Sequence, residues 1–98
     1  MSRPSSNESV FRAIADPTRR RILDELAKDD RTVGDLILAL KLSRTAATFH
    51  LRALMAAGLI RKQRRGGYLM CSASPGGLLT IHAWVGRHVA KPRRSKQK

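Results

Sequence analysis

Four side chains that can bind DNA recur at helical spacing near the middle of the chain. Arg44, Thr45, Thr48 and Arg52 fall on one face of a predicted helix, opposite the apolar residues of that helix. Arginine can donate two hydrogen bonds to O6 and N7 of guanine, and threonine can contact a thymine methyl group or a phosphate. The pattern therefore indicates contact with a DNA groove. Which residue reads a base and which holds a phosphate stays open.

Two further residues of this helix have more than one interpretation. Phe49 lies on the outer face, where its ring could contact a thymine methyl group or a deoxyribose. We expect it instead to pack against the hairpin that follows or against a neighbouring helix. His50 faces inward or sideways, where a lone histidine is more often a hydrogen-bonded structural residue, although it could also donate to a phosphate.

The helix would be the second half of a helix-turn-helix. A shorter helix begins at Thr32, in a Thr-x-x-Asp capping pattern, and residues 40–42 form the turn. Ser43 is a suitable N-cap for the second helix, and Gly58 ends it. The apolar positions that should face the core are Ala47, Leu51 and Leu54.

Two strand-like runs on either side of a Gly-Gly pair predict a β-hairpin with a two-residue turn. A basic hairpin tip can enter the minor groove or follow the phosphate backbone. We expect Arg65 to be the tip contact and Arg64 to point to the opposite side of the strand. The residues of the hairpin predicted to contact DNA are Arg61, Lys62, Arg64, Arg65, Gly66 and Gly67.

The distribution of charge favours a polyanionic partner. The net charge is +13, and all seven acidic residues lie in residues 1–35. Residues 36–98 carry basic residues and no acid, whereas a solvated surface normally mixes both signs. A merely soluble, highly charged surface is the alternative. An anionic membrane is less favoured, since no segment has the long apolar face of an interfacial helix.

Little in the sequence supports catalysis or a cofactor. All three histidines follow the acidic part of the chain, and no nucleophile elbow, phosphate loop or metal-ligand spacing occurs. The single cysteine, Cys71, excludes an internal disulfide and a multi-cysteine zinc site, and we expect it to be buried in the second strand. No apolar run is long enough to cross a bilayer, and no signal peptide opens the chain. We predict a cytoplasmic, nucleoid-associated protein with no enzymatic activity and no cofactor.

The remaining segments predict one domain at residues 9–90 between two disordered ends, residues 1–8 and a basic tail at residues 91–98. Asp16-Pro17 ends a first short helix and starts a second, and Ser74-Pro75 starts the last. The order is four helices, two strands and a fifth helix. The predicted fold is mainly α with a small β-hairpin, a winged helix-turn-helix.

Three segments resemble the ArsR-type bacterial transcriptional regulators. Residues 11–23, FRAIADPTRRRIL, are similar to the family's ALADPTRRRIL signature. Residues 43–54 are similar to its S-x-x-x-x-S-x-H-L-x-x-L recognition helix, with Thr48 in place of the second serine, and AGLI at residues 57–60 is similar to its entry to the wing. The resemblance implies a homodimer that represses transcription by occupying a pseudo-palindromic operator, with the first and last helices at the interface. The interface residues would be Val10, Phe11, Ile14, Leu78, Ile81, Trp84 and Val85.

The sequence departs from the metal-sensing branches of this family in two places. One branch carries Cys-x-Cys in the third helix, which here has no Cys and no His. Another binds zinc through acidic and His residues of the last helix, which here has only His82 and His88, six positions apart, and no acid. The chain looks closer to metal-independent members. A non-specific architectural nucleoid protein and a ligand- or redox-responsive repressor stay open as alternatives.

Overall fold

The structure, a computed structural model, describes residues 6–89, which form five helices and a three-stranded antiparallel sheet. This architecture confirms the mainly helical winged helix-turn-helix predicted from the sequence. In chain order the elements are α1 Ser6–Ile14, α2 Pro17–Lys28, β1 Arg31–Thr32, α3 Val33–Leu40, α4 Arg44–Ala56, β2 Ile60–Arg65, β3 Tyr68–Ala73 and α5 Pro75–Val89.

The first helix is longer than the sequence predicts. It begins at Ser6 rather than Ser9, so residues 6–8, assigned above to a disordered end, are helical. The rest of that predicted segment and the predicted basic tail lie outside the described residues.

A third strand, β1, stands where the sequence predicts only a polar connection. Arg31 pairs with Cys71 and Thr32 pairs with Met70, so β3 lies between β1 and β2. Two residues are too few for a sequence pattern to reveal a strand. The hairpin of β2 and β3 is the wing of the fold. Because Thr32 is also the N-cap of α3, this pairing ties the start of the helix-turn-helix to the wing.

Side-chain caps fix where α2, α3 and α4 begin, as the sequence predicts. Asp16 accepts hydrogen bonds from the backbone N–H groups of Thr18 and Arg19, and these bonds, chiefly that of Arg19, lower the pKa of the Asp16 carboxyl. Thr32 and Asp35 form a capping box at α3. Ser43 Oγ accepts from the backbone N–H of Ala46 at 3.0 Å and caps α4.

The apolar stripe of α4 faces the core of the domain. Ala47, Leu51 and Leu54 are buried among side chains from α1, α2, α3 and the sheet, as predicted. Cys71 is also buried, which raises the pKa of its thiol and confirms its predicted place in the interior. Val10 is only 2% exposed and belongs to this core as well.

The start of α5 packs closely on the residues that follow α4. A Cβ added at Gly77 would lie 2.8 Å from Leu59 Cδ2 and 3.1 Å from the Gly58 carbonyl oxygen. Leu59 is fully buried, which restricts the movement of its side chain, and the Gly58 oxygen belongs to the backbone. One position earlier, a Cβ at Gly76 would meet no atom within 4 Å.

We therefore expect Gly77→Ala to destabilise the domain by about 1–3 kcal/mol through overpacking, less a helix-propensity gain of about 0.5–1 kcal/mol. Gly76→Ala is the matched control and should be neutral or stabilising, because it has the propensity gain without the clash. Urea unfolding of both variants measures the difference. Equal stabilities would contradict the close packing of α5 on Leu59.

Candidate nucleic-acid interface

The exposed face of α4 brings the predicted groove-binding residues together. They line one shallow groove along the helix, and all of them are solvent-exposed. Arg44 and Arg52 are eight residues apart, which places them about 12 Å apart along the helix axis. Within residues 6–89 neither guanidinium is held by another side chain. The residues of the groove are Arg44, Thr45, Thr48, Phe49, Arg52 and Ala53.

Phe49 is more open to solvent than we expected. Its side chain is 62% exposed, so only a minor part of it packs against the rest of the domain. The guanidinium carbon of Arg19, from α2, lies 5.4 Å from the ring centroid, within the range of a cation–π interaction. The His50 ring lies nearly edge-on to the Phe49 ring, with the two ring centroids 5.3 Å apart. Most of the ring is available to a partner.

His50 has the hydrogen-bonded structural position predicted for it. It is partly buried on the flank of α4, and its Nδ1 accepts a hydrogen bond from Arg19 Nε at 3.1 Å. The contact links α4 to the N-terminal turn of α2.

The register of the wing divides its basic residues between two faces. Arg65 pairs with Tyr68 across a two-residue turn in which Gly66 has φ +61°, as a tight hairpin requires. Arg61 and Arg65 share one face, and Lys62 and Arg64 share the other, which confirms that Arg64 and Arg65 point to opposite sides. Lys62 lies opposite the buried Cys71 and is itself partly buried.

Arg65, the predicted tip contact, forms an ion pair within the domain. Its Nη2 lies 2.6 Å from Oδ2 of Asp30, the residue before β1. The hydrogen bond from Arg65 lowers the pKa of the Asp30 carboxyl. The two residues are 35 positions apart, and only the pairing of β1 with β3 brings them together. The ion pair ties the end of β2 to the start of the helix-turn-helix.

The predicted dimer residues separate into core and surface. The Phe11 and Trp84 rings meet edge-to-face, with centroids 5.7 Å apart, and join α1 to α5. Leu78, Trp84 and Val85 are exposed, and α5 has no buried residue at all. The prediction that Val10 lies at the dimer interface is wrong, because its side chain is buried within the protomer and leaves almost no surface for a partner. Ile14 and Ile81 are partly buried against the core.

Neither a metal cluster nor a membrane span occurs in the described part of the chain. No three or more His, Cys, Asp or Glu side chains of residues 6–89 are grouped so that they could hold a metal ion. None of the described helices has both the length and the apolar character needed to cross a membrane. The lack of a metal-sensing site stays a prediction from the sequence.

The sequence pattern did not identify two residues of this region. Arg19 and Asp30 contact His50 and Arg65 over separations of 31 and 35 residues. Arg19 lies in the DPTRRR stretch, where three successive arginines give no sign of which one faces α4. Asp30 is one of two adjacent aspartates in a connection that looks like a solvated turn.

The chain is similar to bacterial regulators in sequence and in structure. Residues 16–62 match the family described as bacterial regulatory protein, arsR family. The transcriptional repressor SdpR of Bacillus subtilis (strain 168) is 36% identical over 77 residues, which cover 79% of this chain and 86% of the repressor.

Solved structures show the same likeness. An ArsR-like transcriptional regulator from Rhodococcus sp. RHA1 superposes with a TM-score of 0.78 at 34% identity, over 85% of this chain and 76% of that one. A homodimeric winged helix-turn-helix DNA-binding domain from Mycobacterium bovis, a possible ArsR-family transcriptional regulator, superposes with a TM-score of 0.68 at 28% identity, over 82% and 76% of the two chains.

Proposed function

The chain belongs to the arsR family of bacterial regulatory proteins, and from this premise we propose that it is a homodimeric repressor that occupies a pseudo-palindromic operator through α4. The family and the relatives named above are transcriptional regulators, a class without enzymatic activity. The repressor among them supports a DNA-binding transcriptional repressor, the function that the sequence predicts.

The observation that carries the proposal is the exposed face of α4, where two arginines and two threonines surround the open ring of Phe49. Among the described residues no carboxylate lines its groove, and both arginines at its ends are solvent-exposed. In a symmetric dimer the two α4 helices would enter successive major grooves about 34 Å apart. The wing would follow the adjoining backbone, with Arg61 and Arg64 as exposed basic residues that form no ion pair within residues 6–89, and with Gly66 and Gly67 allowing close approach. Polymerase would then be blocked from the occupied promoter.

The apolar surface of α1 and α5 supports the homodimer. Phe11, Leu78, Trp84 and Val85 present partly or largely exposed apolar side chains on these two helices. A domain of this size rarely leaves such a surface uncovered. An interface between two copies of the same face would be self-complementary, and its two-fold symmetry would match that of the operator.

The proposed repressor does not sense metal. The third helix has neither Cys nor His, and no acid follows Asp35 that could complete a site with the two histidines of α5. We therefore expect zinc or copper to leave DNA affinity unchanged. Oxidant should do the same, because Cys71 is buried and burial raises its pKa, which disfavours the reactive thiolate. The proposed place of action is the nucleoid in the cytoplasm.

A competition assay tests the function directly. DNA that co-purifies with the protein is sequenced, and the enriched fragment competes with random duplex for the protein. A repressor should prefer its operator by about 10³-fold or more at physiological salt. Equal competition by random duplex would refute the repressor and indicate the alternative, a non-specific architectural protein.

The ion pair between Asp30 and Arg65 predicts a variant with increased affinity. Asp30→Ala should release the Arg65 guanidinium at the wing tip, so affinity for both operator and random DNA should rise. The slope of log Kobs against log salt should steepen by about 0.9 for each phosphate gained. Asp24→Ala is the matched control, since it removes the same charge from an exposed position on α2. The same change in slope for both variants would mean that net charge alone is responsible.

A further inference from the structure

We infer that Arg19 of α2 is a further DNA-binding residue, a phosphate ligand that His50 and Phe49 hold beside α4. This inference rests on the proposed function, since it assigns a second helix to the same interface. It adds a residue from outside the helix-turn-helix and gives His50 a role in positioning a contact rather than in making one.

The geometry of α4 places Arg19 where a phosphate backbone would run. With 3.6 residues per turn, Phe49 lies nearly opposite the buried stripe and would point into the groove. Arg44 and Thr48 lie toward one flank of that direction, and His50 lies on the other. A helix in a major groove has a sugar-phosphate backbone along each side. Arg19, which contacts both Phe49 and His50, therefore faces the backbone opposite the one that Arg44 would meet.

The donors of the Arg19 guanidinium are divided between positioning and binding. A guanidinium carries five N–H donors, and its Nε–H is donated to His50 Nδ1. Within residues 6–89 the Nη groups donate no hydrogen bond, and no carboxylate forms an ion pair with them. The Asp16 carboxylate accepts the backbone N–H groups of Thr18 and Arg19, and the bond from Arg19 lowers its pKa more than the charge of the Arg19 guanidinium does. The planar fork of the Nη groups fits phosphate oxygens, to which it can donate two hydrogen bonds.

The two neighbouring arginines show what a purely structural arginine of α2 looks like. Arg20 donates to the carbonyl oxygens of Ile14 and Ala15, and Arg21 donates to that of Leu40. Their terminal nitrogens are therefore used within the domain, whereas those of Arg19 are not. The hydrogen bond to His50 and the contact with the Phe49 ring already restrict the Arg19 side chain. Binding a phosphate would therefore cost less side-chain entropy.

Salt dependence distinguishes a phosphate ligand from a structural residue. Arg19→Ala and Lys28→Ala each remove one positive charge from α2, and Lys28 is exposed and paired with Glu25 at 3.3 Å. Binding of both variants to the operator and to random duplex is measured from about 50 to 200 mM salt. We expect Arg19→Ala to flatten the slope of log Kobs by about 1.8, or about 0.9 for each protomer of the dimer, and to weaken binding of both duplexes alike by tenfold or more.

The outcomes separate this inference from the proposed function. A wild-type protein that binds operator and random duplex equally refutes the repressor, yet a flattened Arg19→Ala slope still supports the phosphate contact. A slope equal to that of wild type, or a Lys28→Ala slope flattened as much as that of Arg19→Ala, overturns the inference. Loss of affinity together with a lower thermal midpoint and an unchanged slope also overturns it, because it shows a structural role.

Variants of His50 test the positioning role. His50→Leu removes the acceptor of the Arg19 bond, whereas the carbonyl oxygen of His50→Gln can replace it. We expect His50→Leu to flatten the salt slope in part, His50→Gln to restore it, and His50→Leu to have no further effect in an Arg19→Ala background. Additive effects of the two changes would show that His50 does not act through Arg19.

Discussion

Arg52→Ala is expected to weaken operator binding by about 2–6 kcal/mol, because the proposed dimer presents two copies and one bidentate contact to guanine contributes about 1–3 kcal/mol. Arg52 lies on the exposed face of α4, and within the described residues no carboxylate competes for its guanidinium. Fluorescence anisotropy with operator and random duplex measures both the affinity and the preference for the operator.

The same assay on Arg44→Ala assigns the roles that the sequence leaves open. A residue that reads a base loses operator preference when it is removed, whereas a phosphate ligand loses affinity for all sequences alike. Arg44 is the first residue of α4 and Arg52 lies about two turns further on, so they meet different parts of a site. Lys28→Ala controls for the loss of one charge. If neither arginine variant weakens operator binding, α4 does not dock in the groove as proposed.

The parts of this fold that the sequence predicts correctly depend on residues close together in the chain. Asp16 caps α2 within three residues, and Thr32 with Asp35 and Ser43 with Ala46 act over the same distance. The Gly66-Gly67 turn is likewise local. Because such interactions form within one turn of the backbone, residue type and spacing suffice to find them.

Long-range contacts explain what sequence reasoning missed. The Arg65–Asp30 pair exists only because β1 joins β3, and a strand of two residues has no periodicity to read. Val10 fits an interface and a core equally well from its apolar character, and only packing of α1 on the domain decides between them. The openness of Phe49 is also a tertiary property, since it depends on which elements reach the outer face of α4.

Tertiary structure also explains how a chain with seven acids keeps carboxylates away from the proposed DNA-binding surface. The carboxylates of Asp16 and Asp35 accept backbone N–H groups at helix starts, and Glu25 and Asp30 pair with basic residues around β1. These carboxylates act within α2, β1 and α3, and none lines the groove of α4. The segregation of charge along the sequence therefore becomes a segregation of charge on the surface.

Exposed apolar residues along α5 support the prediction that two copies of the chain associate through this helix. Leu79 and Val89 are 64% and 69% exposed, and Leu78 and Val85 are 38% and 40% exposed. Leu78, Val85 and Val89 lie on one side of the helix, with Leu79 on one flank of it. On the other flank, Ile81 packs toward the core and Trp84 contacts Phe11. Changes to the exposed apolar residues of α5 should therefore affect the association of two chains much more than the stability of a single chain.

Val85→Glu is expected to convert the proposed dimer into monomers. A two-fold interface would bury two copies of the new carboxylate near each other, and desolvating each would cost several kcal/mol. Light scattering should then give the mass of a single chain. Operator affinity should fall by at least about 100-fold, because a monomer contacts only one half-site and loses the advantage of linked binding.

Leu38→Glu is the matched control for this change. It also replaces an exposed apolar residue, 78% exposed, by glutamate, but it lies on α3 rather than on α5. Its mass in solution should remain that of the wild type, and both variants should keep the helical circular dichroism of the domain. A Val85→Glu protein that stays dimeric would show that the exposed apolar residues of α5 lie outside the interface. A folded monomer with wild-type operator affinity would show that DNA recognition does not need the dimer.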